Sequence, residues 1–191
     1  METEQEHFET QLARFFQGDA GEAGAAAVVG IGNTDRGDDG FGPAVVASLS
    51  ETGTSGLLLI DAGIRPESCL DVLEGAKARR VLFVDAAGDE AAGGDGDGEG
   101  EANGGRWRCA PLLQLINPSA LVGTSVSTHR LHLGLVAELL REQTGAEVKV
   151  LIFRVSGDGR LERFAPLSGG ARAAAGRAAA AIRDAMRGRN R

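Results

Sequence analysis

The segment GIGNTDRGDDGFGP, residues 30–43, sets Asp38 and Asp39 side by side between an apolar strand pattern and an apolar helix pattern. Its glycines permit positive φ and close backbone approach, so the loop has a shape suited to a ligand. The aspartates make a cation the better guest than a phosphate, because neighbouring carboxylates raise one another's pKa unless a positive charge intervenes. A plainer reading is that carboxylates at a helix N-terminus cap its amides and meet its dipole, worth about 0.3–1 kcal/mol. That accounts for one aspartate more readily than for two among so many glycines.

Three other residues carry comparable chemistry. Asp61 ends the apolar run LLLID, Asp85 ends VLFVD, and His129 stands in STHRLHLGL just before an apolar helix pattern, with His132 one turn further on. Each taken alone reads as a hydrogen-bond acceptor at a strand end or as a loop histidine. As a set, Asp39, Asp85 and His129 can converge over the carboxyl edge of a sheet, and two carboxylates with one imidazole suit a borderline divalent metal with open positions. Ligand type alone does not select nickel over zinc or copper. Neither Cys69 nor Cys109 has a histidine nearby in sequence and there is no G-x-S-x-G elbow, so hydrolysis here points to metal-assisted attack of water. A dinucleotide site is disfavoured: after Gly30 and Gly32, Asp35 stands where the third glycine of G-x-G-x-x-G belongs, and no G-K-S/T of a P-loop follows.

Positioning these residues falls to short continuous apolar runs bounded by glycine or charge, the habit of strands buried on both faces of a parallel sheet. Such runs begin at Ala25 (AAAVVGIG) and recur as GLLLID, RRVLFVDAA and VKVLIFRVSG. Helical patterns alternate with them over 41–49, 66–76, 131–140 and 171–186. The expected fold is α/β, a three-layer sandwich with a mostly parallel central sheet flanked by helices on both faces. Ligands of such sheets bind beyond the carboxyl ends of the strands, which selects the loops after Ile31, Ile60 and Val84.

The 191 residues, 42% of them hydrophobic, suffice for one core. Residues 1–24 are expected to be an N-terminal helix and linker, with Phe8, Leu12, Phe15 and Phe16 on one face, laid on the domain or on a partner. Residues 25–191 form the α/β domain, interrupted at 88–105 by an acidic insertion, GDEAAGGDGDGEGEANGG, whose composition cannot bury apolar surface and which is expected to be disordered. It lacks the spaced ligands and closing glutamate of an EF-hand. A net charge of −7 argues against a nucleic-acid partner. The acidic amphipathic start is the reverse of a secretory signal, no apolar run spans a bilayer, and two distant cysteines read as reduced thiols, so a cytoplasmic monomer is expected.

Taken in order, GIGNTDRGDDGFGP, IDAGIRPE, LFVDA, STHRLHLGLVAELL and FAPLS resemble the hydrogenase maturation endopeptidases, nearest the formate hydrogenlyase-type branch, over most of the chain from Ala25. The resemblance implies an endopeptidase that removes the C-terminal extension of the NiFe hydrogenase large-subunit precursor. It implies Asp39, Asp85 and His129 as metal-contacting positions, with His132 an ordinary helix residue and Gly63 matching a retained loop glycine. It further implies that nickel arrives with the precursor, so the enzyme need not select it; zinc or another divalent ion can substitute. Asp38 or Asp39 is expected to assist hydrolysis, and Gly32, Asn33, Asp61 and Gly63 to form the substrate loop. Thr34, Asp35, Arg36, Ala62 and FRVS depart from the family pattern. The other reading these departures allow is a non-catalytic metal-binding accessory protein of the same fold.

Overall fold

The structure, a computed structural model, describes residues 4–18, 24–88, 113–121, 128–155 and 163–189, and within them the side chains of all but 4, 88, 121 and 128–132. The expected insertion at 88–105 and Cys109 therefore lie almost wholly outside the described residues. The apolar runs form the strands β1 (Ala25–Ile31), β2 (Leu57–Gly63), β3 (Ala78–Gly88), β4 (Leu113–Ile116) and β5 (Glu147–Val155), in the order β2-β1-β3-β5-β4. All neighbours are parallel except β4, which pairs antiparallel with β5. This edge strand has no counterpart in the sequence reading, because four residues of LQLI carry too short a pattern to signal a strand.

Strand alternation divides the apolar residues between two cores. Val28, Leu82, Val84, Leu151 and Phe153 face α2 (Phe41–Thr52) and α5 (Gly169–Arg189), whereas Val29, Ile31, Val81, Phe83, Val150 and Ile152 face α3 (Leu70–Gly75) and α4 (Thr128–Thr144). The result is the three-layer sandwich with helices on both faces that the alternation of patterns predicts. The helical pattern at 66–76 resolves into a 3-10 turn, Pro66–Cys69, followed by α3. The N-terminal helix α1 (Glu4–Gln17) lies on the domain itself: Phe8, Leu12, Phe15 and Phe16 are buried with the alanine face of α5. Alanines at 171, 174, 175, 178 and 179 leave room for α1 and α2 to approach α5 closely. Among the described residues no helix is long and apolar enough to cross a membrane.

The start of α2 is pressed against the sheet without any side chain between. A Cβ on Gly42 would drive into the carbonyl oxygens of Val84 and Ile31, and one on Gly30 would come 2.6 Å from the Gly42 carbonyl oxygen. Phe41, next in the chain after GDDG, stacks on Phe153 of β5 with ring centroids 4.6 Å apart. Backbone contact at the glycines and ring contact at Phe41 thus fix where the loop ahead of α2 must lie.

Adding a methyl at this contact leaves no relaxed solution, so Gly42→Ala is expected to cost roughly 1–3 kcal/mol in urea unfolding. By contrast Gly176, exposed in α5 with no atom within 4 Å of where a methyl group would sit, gains helix propensity on replacement. Gly176→Ala should stabilise by up to about 1 kcal/mol in the same measurement.

Candidate functional site

Three parallel strands end together at the carboxyl edge of the sheet, and the loops that leave them are tied to one another. Gly32, at φ +134°, leaves space for the backbone of Asp39, whose carbonyl oxygen occupies the position a side chain would need. Its amide donates to the Gly63 carbonyl at 2.8 Å, and the Gly63 amide donates to Asp61 Oδ1 at 3.0 Å. Asn33 continues the link: its amide donates to Asp39 Oδ2 at 3.1 Å, while its Oδ1 accepts from the Asp35 amide at 2.9 Å. Gly32, Asn33, Asp61 and Gly63 are therefore brought together in one connected rim, and the glycines serve the loop's own packing.

Asp38 and Asp39 sit in a 3-10 turn, Gly37–Gly40, ahead of α2, and neither caps that helix. Asp38 is 2% exposed and turns away to the far end of the chain. Its Oδ1 accepts from the Ser168 amide at 2.7 Å and its Oδ2 from the Ser168 hydroxyl at 2.9 Å. Ser168 Oγ in turn accepts from the Ala171 amide at 3.1 Å, the N-cap bond of α5. Two backbone links run alongside, from the Gly37 amide to the Ala165 carbonyl and from the Phe164 amide to the Asp35 carbonyl. The segment 164–168 is thus a brace for the aspartate loop. Phe164 holds φ 63° there, a left-handed conformation rare for a bulky side chain, and is 81% exposed.

Asp39 is half-buried, and among the described residues only its Oδ2 carries a hydrogen bond, which leaves Oδ1 as an available acceptor. Asp85 is 5% exposed on β3, with Oδ1 accepting from the Ala86 amide at 2.8 Å. By strand alternation it shares the face of Phe83 and of its register partner Ile152, the face that α4 covers. The turn holding Asp39 packs against β3. Helix α4 runs antiparallel to the strand that follows it, so its first turn, with His129, belongs at the carboxyl edge; its body packs against the Pro66–Cys69 turn on that side. The imidazoles of His129 and His132 lie outside the described side chains. Among those described, no three His, Cys, Asp or Glu form a metal-holding group. Asp39, in the turn ahead of α2, and Asp85, on β3, are hard oxygen donors and the described part of the expected set.

Cys69 is buried and its thiol donates to the Pro66 carbonyl at 2.9 Å. Burial, with a smaller contribution from Glu67, pushes it up to about 11. It is a packed thiol and no nucleophile at neutral pH. Ser168 is a site-supporting residue that the sequence reading misses, although a serine three residues before the first buried alanine of a helix is an N-cap signal.

The fold and this loop arrangement define an α/β protein with an acidic, carboxyl-edge site. No family model matches the chain. A Methanocaldococcus jannaschii protein assigned by name to the hydrogenase maturation proteases is 26% identical over 132 residues, 65% of this chain and 68% of its own. The crystal structure of the NiFe hydrogenase maturation protease HycI from Thermococcus kodakarensis KOD1 superposes with a TM-score of 0.71 at 29% identity, over 93% of this chain and 99% of that one. The hydrogenase maturating endopeptidase HybD from E. coli shares the fold, with a TM-score of 0.57 at 19% identity over 84% of this chain and 88% of that one. All three of these relatives bear the name of hydrogenase maturation proteases or endopeptidases.

Removing either partner of the Asp38–Ser168 lock leaves a polar group without its partner, Asp38 being buried and Ser168 half-buried. Asp38→Ala should lower stability by about 1–3 kcal/mol, read as a shift in the urea midpoint at unchanged slope. The Cys69 thiol gives a pH signature. Its value is raised in the folded state, so its contribution is complete below the ordinary value near 9.0 and is lost as the pH climbs through about 11. Between those limits the unmodified protein should lose more stability than Cys69→Ala, measured by thermal melts across the alkaline range.

Proposed function

We propose that this chain is an endopeptidase that removes the C-terminal extension of a nickel-loaded NiFe hydrogenase large-subunit precursor. The observation that carries the reading is Asp39: one carboxylate oxygen is fixed by the Asn33 amide and the other carries no hydrogen bond among the described residues, on a loop packed against the strand that bears Asp85. Such a carboxylate is held in orientation without being consumed by its own hydrogen bonds, which is what a metal-meeting or proton-accepting group needs.

Nickel belongs to the substrate in this scheme. Asp39, Asp85 and His129 meet the metal that the precursor already holds, anchoring the extension across the carboxyl edge of the sheet. A precursor without metal offers nothing to bridge the two proteins, so cleavage waits for nickel insertion. Zinc or another divalent ion held at the same precursor position substitutes as an anchor. Hydrolysis is assisted by Asp39, whose Oδ1 accepts a proton from water as the water adds to the scissile carbonyl carbon. The departing amine then takes a proton and the C–N bond breaks. Asp38, with both oxygens engaged at Ser168, acts as the positioning residue of the loop. Gly32, Asn33, Asp61 and Gly63 form the rim along which the extension lies. The formate hydrogenlyase-type branch supplies the precursor class proposed here, and the enzyme acts as a monomer in the cytoplasm.

Incubation with a cognate nickel-loaded precursor, followed by intact mass, tests this directly. A single C-terminal truncation is expected with the unmodified protein, with little or none from metal-free precursor. Asp39→Ala and His129→Ala should each reduce cleavage by about a hundredfold or more, the scale of losing a positioned acid–base or anchoring group. Intact precursor after incubation with the unmodified protein would overturn the assignment.

A further inference from the structure

The five-stranded sheet has two outer strands, and they are finished differently. β4 is four residues long and α1 packs against it, whereas β2 has β1 on one side and, among the described residues, no strand on the other. Both faces of β2 are covered, by α2 and by the Pro66–Cys69 turn, but its outer edge is not paired. We infer that this edge binds the C-terminal extension of the precursor as an added strand, which rests on the endopeptidase reading of the chain.

Strand β2 carries none of the features that keep a sheet edge from pairing. Over Leu57–Ile60 there is no proline, no charge and no bulge, and the register shift against β1 comes only at Asp61–Gly63. In a ladder with one neighbour, alternate residues turn their amide and carbonyl outward, a spaced row of donors and acceptors that another extended backbone meets in series. Side chains follow the same period. Leu57 and Leu59 pack on the core beneath α2, Leu58 and Ile60 on the core beneath α4, and all four are only half-buried. An added strand therefore covers apolar surface on both faces while its backbone completes the ladder.

Continuity with the site selects the occupant. At its carboxyl end β2 runs into Asp61 and Gly63; the Gly63 carbonyl accepts from the Gly32 amide, and the Asp39 carbonyl lies against Gly32. A peptide paired along Leu57–Ile60 is thereby carried to the rim that leads to Asp39. The regular stretch spans about 13 Å, at about 3.3 Å per residue, room for about four residues of guest. Backbone pairing supplies the hold, and the extension that fits best sets apolar side chains against these four on both faces.

Cleavage of the parent nickel-loaded precursor by the unmodified chain is the baseline, and its absence defeats the endopeptidase reading itself. Where the parent is cleaved, precursors with proline at successive single positions of the extension are compared for KM and kcat. Proline at every second position is expected to raise KM roughly threefold to tenfold, the worth of a lost main-chain hydrogen bond, with the positions between little changed. A uniform response, or none, would sink strand addition and leave the endopeptidase standing. Hydrogen exchange on the chain alone is the second measurement, and the outward amides of residues 57–60 should exchange fast. Slow exchange there would mean an edge already covered, by a second copy if dilution quickens it and by the chain itself if not, and either result overturns the proposal.

Discussion

The contact between the first turn of α2 and the ends of β1 and β3 is the constraint on which the site depends. At Gly30, Gly32 and Gly42 backbone lies on backbone, with no side chain to hold the layers apart. This close approach forces the loop 32–40 to fold back over the strand ends, and the Phe41–Phe153 stack fixes its rotation. Asp39 is then delivered to the carboxyl edge by geometry that has nothing to do with its charge. Glycine is required at these positions by packing, and Asp39 occupies the half-open edge that packing creates.

A loop set so tightly at one end still needs restraint at the other. The Asp38 carboxylate supplies it by engaging both the amide and hydroxyl of Ser168, 130 residues away in sequence. Because Ser168 also caps α5, the start of that helix and the aspartate loop share a hydrogen-bond network, and such networks gain from mutual polarisation in a buried setting. Two adjacent aspartates thus differ in their engagement: Asp38 is held inside the protein by Ser168, and Asp39 stands half-buried at the edge with one oxygen on the Asn33 amide. Their opposite directions also separate two negative charges that would otherwise disfavour one another.

Among the described residues the two edges of the sheet carry different charged side chains. Asp39, Asp61 and Asp85 gather where the strands end, and Arg79, Arg80 and Lys149 where β3 and β5 begin. Helix α1 packs on α5 and β4.

Much of this architecture was legible along the chain. Continuous apolar runs mark strands buried on both faces, and the helical periods between them dictate a layered α/β fold, because each pattern is local and repeats several times. GIGNTDRGDDGFGP identifies the loop after β1, and with Asp85 and His129 it nominates three residues at one sheet edge. Tertiary structure alone decided the rest. Asp38 finds Ser168 only when the chain's two ends meet, α1 settles on alanines that no periodicity couples to it, and β4 pairs because β5 offers an unsatisfied edge. These are long-range choices, made by hydrogen-bonding groups and apolar faces that have no neighbour in sequence able to satisfy them.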